Sequence, residues 1–222
     1  MIFLPGSKNT MGDLRWMRQN GLEAAVKKLA AHIPVWGICG GYQMLGRTIS
    51  DPHGVENENS LREPLRGMEL IDTDTTLMPE KMRTQTRGKF ENVTGIFSTL
   101  SGLEFSGYEI HMGKTTVSTG EHQTPLVQLA DGRTDGVQRM EKGSEAPGVY
   151  GSYVHGIFDD GDIAVRIVQA LADKKKVSWK PEAGGDYHAF KEQQYDKLAQ
   201  GLREHLDMEY VYSILQESRI SV

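Results

Sequence analysis

The only cysteine of this 222-residue chain lies in a setting that suits a nucleophile. Cys39 stands in the run GICGGYQ at positions 37–43. The apolar residues before it predict a buried strand and those after it predict a helix, which places the thiol on a sharp strand-to-helix turn. The adjacent glycines permit strained dihedral angles and close approach of a substrate. Unpaired N–H groups at a helix start favour the thiolate, lower the pKa of the thiol and can bind an oxyanion, so the pattern predicts nucleophilic catalysis.

A structural role for Cys39 is the alternative. Free cysteines are among the most buried residues, and a lone cysteine is more often a small core residue than a catalyst. A single cysteine excludes an internal disulfide and a cysteine metal cluster, and we expect no metal site. A structural cysteine needs no glycine-rich turn between a strand and a helix, and we therefore favour catalysis.

A cysteine nucleophile needs a base within hydrogen-bonding reach. Of the seven histidines, His155 stands at the end of an apolar strand pattern, at positions 148–154, and is followed by Gly156. Two strands of one parallel sheet bring their carboxyl ends together, which would place His155 beside Cys39. We predict that His155 is the base and keep His111 as the second choice.

The elements that must position these residues follow from the apolar periodicity. A short apolar run at positions 2–4 ends in Pro-Gly-Ser, a helical pattern extends from 13 to 29, a buried strand covers 33–38, and a helix is predicted for 42–49. Strand, helix, strand, helix predicts a βαβ unit of a doubly wound, mostly parallel α/β sheet with helices on both faces. Functional loops of such a sheet lie at the carboxyl ends of its strands.

The second half of the chain has a different periodicity. Alternation of period two at positions 81–90 and 108–117 predicts added antiparallel strands, and an amphipathic helix is predicted for 162–174. A Pro- and Gly-rich loop at 178–186 precedes a C-terminal helical region in which Asp207 is expected to cap the last helix. We predict a main domain over 1–177 and a helical extension over 178–222 that packs on it.

Composition excludes two classes of partner. The chain carries 25 Lys and Arg against 30 Asp and Glu, a net charge of −5, and its basic residues are scattered, so nucleic acid is not an expected partner. The sequence contains neither a long apolar run nor the pattern of a signal peptide. We expect a cytoplasmic protein with no membrane partner.

Four segments give the sequence a specific resemblance. They are LPGSKNT at 4–10, GICGGYQMLG at 37–46, GYEIHMG at 107–113 and GSYVHGIF at 151–158, with weaker matches at 194–199 and 203–207. The chain resembles the class I-like glutamine amidotransferase domains found at the C-terminal end of cobyric acid synthases. The resemblance covers nearly the whole chain and implies the flavodoxin-like class I fold.

The resemblance implies a reaction and a set of roles. Cys39 would attack the carboxamide of L-glutamine to form a thioester, and His155 would move the proton. The Gly6-Ser7 loop and the N–H of Gly40 are the expected oxyanion donors. The remaining residues expected in the substrate site are Gln43, which would seat the substrate amide, and Tyr108, Glu109 and His111, for which a structural role is about equally favoured.

Two departures from the wider class limit what can be carried over. The class glutamate two positions after the histidine is replaced here by Ile157, so another group must orient His155, and Glu109 is one candidate. The chain has no phosphate-binding loop, so we do not expect it to bind and use ATP alone. No cofactor is expected in this chain, and ATP and Mg²⁺ are expected only in a synthetase domain that the chain lacks. Strands of the fold are also expected upstream of Ile2, which indicates a piece of a longer protein.

The function implied by the resemblance is ammonia supply. The ammonia would serve ATP-dependent amidation of corrin side-chain carboxylates in cobalamin (vitamin B12) biosynthesis, with the N-terminal synthetase domain and its corrin substrate as partners. Two alternatives stay open. One is a glutaminase subunit of another synthetase, such as the peptidoglycan-precursor amidating type, and the other is a non-catalytic docking module.

Overall fold

The structure of the protein is a computed structural model. It describes residues 1–56, 63–118, 122–140, 147–180 and 187–217. The chain divides into two compact units, Met1–Pro181 and Glu182–Val222. The predicted boundary at 177/178 and the predicted packing of the extension stay predictions.

In the first unit, strands and helices alternate over the first third of the chain, and most of the later described elements are strands. The elements are β1 Ile2–Leu4, α1 Thr10–Gln19, α2 Leu22–Leu29, β2 Val35–Ile38, α3 Gly40–Leu45, β3 Thr48–Ser50, β4 Leu65–Arg66, β5 Thr73–Phe90, a 3₁₀ helix Gly95–Leu100, β6 Glu104–Val117, β7 Gln123–Leu129, β8 Thr134–Arg139, β9 Val149–Ser152, β10 Val154–His155 and α4 Gly161–Lys174. The second unit contains α5 Tyr187–His205 and α6 Met208–Glu217.

The strands form one mixed sheet in the order β1-β2-β9-β8-β7-β5-β3-β4, with β6 paired to both β5 and β10. Strands β1, β2 and β9 are parallel neighbours, and β3 is parallel to β5. The other pairings are antiparallel, above all the long ladder of β5 with β6. The predicted α/β fold with added antiparallel strands is confirmed, although the antiparallel part is larger than the sequence indicated.

Helices cover both faces of the parallel part. On one face, Trp36 of β2 packs against Tyr150 of β9 and Phe97 of the 3₁₀ helix, on which α4 packs. On the other face, Gly151 of β9 lies against α3, since a Cβ there would come within 2.2 Å of Cδ2 of Tyr42. The prediction of helices on both faces is therefore confirmed.

Two predicted elements have different bounds. The helical pattern of 13–29 is divided into α1 and α2 at Gly21, whose φ of 74° is left-handed. The predicted helix 42–49 ends at Leu45, and Thr48–Ser50 instead form β3 between β4 and β5. Partners distant in sequence, which local periodicity cannot reveal, convert that segment into a strand.

The helices of the second half are as expected. Helix α4 begins one residue earlier than predicted and ends at the predicted residue. In the second unit, the side chain of Asp207 accepts a hydrogen bond from the N–H of Tyr210 at 3.0 Å, which confirms the predicted cap of α6. None of the helices among the described residues has both the length and the apolar composition that crossing a bilayer requires.

Candidate active site

Cys39 occupies the turn between β2 and α3. Its backbone adopts φ 51° and ψ −110°, a region that costs a non-glycine residue conformational energy. Its N–H donates to the carbonyl of Ser152 at 2.9 Å, which ties the turn to the end of β9. Gly41, two positions further on in the first turn of α3, lies so close to β1 that a Cβ would come within 2.1 Å of the Leu4 carbonyl oxygen. The predicted strand-to-helix turn is thus present and is held from both sides.

The structure brings Cys39 and His155 together across Gly6. A Cβ at Gly6 would lie 2.9 Å from Cε1 and 3.8 Å from Nδ1 of His155, and 3.6 Å from Cβ of Cys39. Any larger residue at this position would therefore collide with the imidazole. The three residues come from loops after β1 and β2 and from β10, as the carboxyl-end rule for parallel sheets predicts.

His155 is positioned by the β6 strand. Strand β10 pairs with β6 so that His155 lies opposite Tyr108, and the two rings stack with centroids 5.2 Å apart and planes at 4°. Within the described part of the chain, Nε2 of His155 is buried without a hydrogen-bond partner. Burial, with a smaller contribution from nearby His111, lowers the pKa of His155 below its usual value. The imidazole is therefore neutral at pH 7 and able to accept a proton.

The thiol of Cys39 is protonated in this site. Burial raises its pKa to about 11, although a hydrogen bond from the backbone of Gly40 opposes the shift. The sulfur instead lies 3.6 Å from the Ile110 carbonyl oxygen, to which the S–H can donate. The lowered pKa expected from the helix start is not found, because the desolvation of a nearly buried sulfur outweighs the helix N–H groups. The pair is a neutral thiol beside a neutral imidazole.

The predicted oxyanion donors meet at one point. A Cβ on Gly40 would lie 2.8 Å from the backbone nitrogen of Ser7, so the Gly6-Ser7 loop and the start of α3 are in contact. The Ser7 hydroxyl donates to Asp13 at 2.5 Å and accepts from the N–H of Asn9 at 3.0 Å. The side chain of Ser7 shapes the loop, and its backbone nitrogen is the atom that lies beside Gly40.

Gln43 is buried and fixed by two side chains. Its Oε1 accepts from the Thr10 hydroxyl at 3.0 Å, and its Nε2 donates to the Tyr153 hydroxyl at 3.2 Å. These bonds join α3 to α1 and to the segment before His155. The predicted contact of Gln43 with the substrate amide stays a prediction.

Glu109 does not contact His155. Its buried carboxylate accepts two hydrogen bonds from Arg133, at 2.6 and 3.2 Å, and lies 3.6 Å from Nε2 of His111. Burial opposes ionisation of Glu109, but His111 and Arg133 together outweigh it and hold the pKa near 2. Glu109 lies opposite Val154 in the β6–β10 register, whereas Tyr108 lies opposite His155. Glu109 is therefore wrong as the group that orients His155.

His111 is fixed within β6. Its Nδ1 lies 2.9 Å from the Gly113 carbonyl oxygen, and its ring stacks on Tyr153 with centroids 3.8 Å apart. Arg133, which neutralises Glu109, was missed by sequence reasoning. It follows a turn between β7 and β8, and nothing in its local sequence indicates a partner 24 positions away.

A cleft of about 610 Å³ contains the thiol and the imidazole. It is lined by Gly6, Ser7, Lys8, Thr10, Cys39, Gln43, Val55, Glu56, Leu77, Lys81, Tyr108, Ile110, His111, Met112 and His155. Most of the predicted site residues therefore surround one cavity. Glu109 faces a larger neighbouring cavity of about 800 Å³, which contains neither Cys39 nor His155. The described residues contain no group of three or more His, Cys, Asp or Glu side chains arranged to hold a metal ion.

Comparison with known proteins assigns this site to a family. Residues 1–163 match the CobB/CobQ-like glutamine amidotransferase domain, and the chain belongs to this family. The chain is accordingly a glutamine amidotransferase, an enzyme that hydrolyses glutamine to release ammonia.

The most similar relatives include cobyric acid synthases. The chain is 47% identical to that of Ruminiclostridium cellulolyticum over 98% of its own length and 41% of the relative's length. It is 40% identical to that of Bacteroides fragilis, over 98% of this chain and 40% of the relative. The chain thus spans about two-fifths of the length of these relatives. A crystal structure of a glutamine amidotransferase is 15% identical with a TM-score of 0.47, covering 79% of this chain and 78% of that chain.

Proposed function

We propose that this chain is the glutaminase part of a cobyric acid synthase. The observation that carries the proposal is the juxtaposition of Cys39 and His155 across Gly6, in a cleft whose other walls include the predicted oxyanion loop and β6. The identity to cobyric acid synthases over 98% of the chain supports this assignment over a glutaminase that serves another kind of synthetase.

The proposed reaction begins with a coupled proton transfer. The sulfur of Cys39 forms a bond to the carboxamide carbon of glutamine while its proton passes to His155, because both groups start uncharged. The carbonyl oxygen becomes an oxyanion, which accepts hydrogen bonds from the backbone N–H groups of Ser7 and Gly40. Such donors typically contribute about 3 kcal/mol each to the transition state.

The imidazolium of His155 then gives its proton to the leaving nitrogen. The C–N bond breaks, ammonia leaves and a thioester remains on Cys39. In the second half, His155 removes a proton from water, the hydroxide attacks the thioester, and glutamate is released as the thiol is restored. The stacked ring of Tyr108 restrains the plane of the imidazole through both halves.

The ammonia is proposed to serve the remaining part of the protein. The cobyric acid synthases are more than twice as long as this chain, and we assign ATP, Mg²⁺ and the corrin carboxylates to that additional part. We propose a cytoplasmic location.

The test is Cys39→Ala in the complete protein. Glutamine-dependent amidation should be lost, and amidation driven by added ammonium should persist, since only ammonia production needs the thiol. His32→Ala, in the loop between α2 and β2, is a matched control that should keep both activities. Equal loss of the two reactions in Cys39→Ala would show a structural cysteine, and retention of both would show that Cys39 is not the nucleophile.

A further inference from the structure

Glu56 provides a negative charge in the glutaminase cleft. It is the one carboxylate among the residues that line the cavity of Cys39 and His155 within the described chain. Its side chain is half-buried and takes part in none of the ion pairs found between described residues. Burying part of an unpaired carboxylate costs free energy unless a partner compensates it.

The backbone holds this carboxylate in place. One oxygen of Glu56 accepts a hydrogen bond from the N–H of Met11, near the start of α1, at 2.9 Å. The buried carboxylate of Asp51 accepts from the N–H of Val55 at 2.7 Å and from the N–H of Glu56 at 3.0 Å. Glu56 is thus fixed at its side chain and its backbone, which leaves its second oxygen as an acceptor in a defined position.

Lys81 supplies the opposite charge to the same cleft. It lies in the irregular segment of β5 between Leu77 and Met82, where the pairing with β6 shifts register. Glu56 raises the pKa of the Cys39 thiol and Lys81 lowers it, so both charges act on the sulfur from within electrostatic range. The cleft therefore presents a cation and an anion around the nucleophile.

This arrangement matches the chemistry of the substrate end that does not react. When the carboxamide carbon of glutamine lies at the sulfur, two methylene groups lead to an α-carbon with an ammonium and a carboxylate. An ammonium prefers a fixed carboxylate acceptor, and a carboxylate prefers a lysine or arginine donor. The α-ammonium has one candidate carboxylate in the cleft, Glu56, and the α-carboxylate has two candidate lysines, Lys8 and Lys81, of which Lys81 is the one that acts on the sulfur of Cys39.

We propose that Glu56 binds the α-ammonium group of glutamine and that Lys81 binds its α-carboxylate. The pair makes the cleft selective for an α-amino acid that carries a side-chain carboxamide over a simple carboxamide of the same length. This inference rests on the glutaminase activity of the chain and names the residues that select its substrate.

The principal test is Glu56→Gln in the full chain, assayed by glutamate release. The amide oxygen of the new side chain can still accept from Met11, but the charge is lost. The KM for L-glutamine should rise about 10- to 100-fold, as expected for a lost hydrogen bond between charged groups, with little change in kcat. Glu80→Gln is the matched control, because Glu80 lies next to Lys81 but does not line this cleft. Control values should equal those of the parent.

The most specific measurement is the ratio of kcat/KM for L-glutamine to kcat/KM for an amide that lacks the α-amino group. The parent chain should hydrolyse L-glutamine with a kcat/KM at least tenfold above that for 5-amino-5-oxopentanoate, which lacks the α-amino group. Glu56→Gln should remove most of this preference. Lys81→Gln should do the same for the preference of glutamine over its α-methyl ester, with Lys114→Gln as its control. Equal kcat/KM of the parent for glutamine and the des-amino amide would overturn the proposal without any variant.

Binding without turnover separates this inference from the proposed function. In the Cys39→Ala background, calorimetry should show that Glu56→Gln weakens L-glutamine binding but not binding of the des-amino amide. An unchanged glutamine affinity would refute the role of Glu56 while leaving the glutaminase intact. Hydrolysis that survives in Cys39→Ala would instead refute the proposed mechanism.

Discussion

At the scale of the residue, the site consists of a thiol and an imidazole that are both uncharged. Burial raises the pKa of Cys39 to about 11 and lowers the pKa of His155. A thiolate–imidazolium ion pair in the free enzyme would instead need a lowered pKa of Cys39 and a raised pKa of His155. The thiol proton is therefore removed only as the sulfur attacks, and the protonation state of His155 controls the rate on the acidic side.

The pH dependence of hydrolysis tests this view. His155 must be unprotonated to act as a base, and burial lowers its pKa below the usual range of a histidine, so kcat/KM should stay level near neutrality and fall only at more acidic pH. His155→Ala should reduce turnover by about 10²- to 10⁴-fold. It should also abolish the fall of kcat/KM at low pH, which is called the acidic limb below. His111→Ala, measured over the same pH range, should retain the limb. Loss of the limb in His111→Ala alone would identify His111 as the base.

The proximity of Cys39 and His155 could be predicted from sequence, whereas the contacts that hold them could not. Cys39 and His155 are visible because each ends an apolar strand and is followed by glycine. The pairing of Glu109 with Arg133 and the stacking of Tyr108 on His155 depend on strand register between distant segments. Local patterns do not encode register, and this is why Glu109 could be named as a candidate to orient His155 although it lies beside His111.

At the scale of the element, the β2–α3 turn works because it docks directly on β1. The N–H of Gly41 donates to the Pro5 carbonyl at 3.1 Å, and no side chain fits between the two backbones. This contact sets the distance between the oxyanion loop after β1 and the thiol. The strands and helices around the turn were predicted from periodicity, but the conversion of 48–50 from helix to strand required partners that periodicity cannot show.

Gly41→Ala tests the docking of the turn. The added methyl group would meet the backbone at Leu4 rather than a flexible side chain, so unfolding should cost about 1–3 kcal/mol less and glutamine hydrolysis should be lost. Chemical denaturation and glutamate release measure the two effects. Gly201→Ala in α5 is the control, since a Cβ there meets nothing within 4 Å and alanine favours a helix by up to about 1 kcal/mol. An equally small effect of both substitutions would disprove the contact.

At the scale of the whole molecule, the strand that precedes the predicted oxyanion loop lies at the edge of the sheet formed by the described residues. Among the described residues, β1 pairs with β2 on one side and ends the sheet on the other. The Gly6-Ser7 loop extends from this strand, and a displacement of about 1 Å can lower a rate on the order of 10²-fold. Contacts from the rest of a longer protein would restrain β1.

A longer protein should therefore be the better glutaminase. We expect kcat/KM for glutamine hydrolysis to rise on the order of 10²-fold when the chain is extended upstream through the proposed synthetase part. Steady-state glutamate release by both proteins, with the mass of each measured in solution, provides the comparison. Equal kcat/KM for two monomers would mean that the site is fully organised within these 222 residues.

The protonated state of Cys39 also bears on its reactivity toward oxidants and alkylating agents. Peroxides and alkylating agents attack the thiolate, and a thiol with a pKa near 11 presents very little of it at neutral pH. A nucleophile that loses its proton only when a substrate amide is in position is therefore shielded from sulfenic acid formation between turnovers.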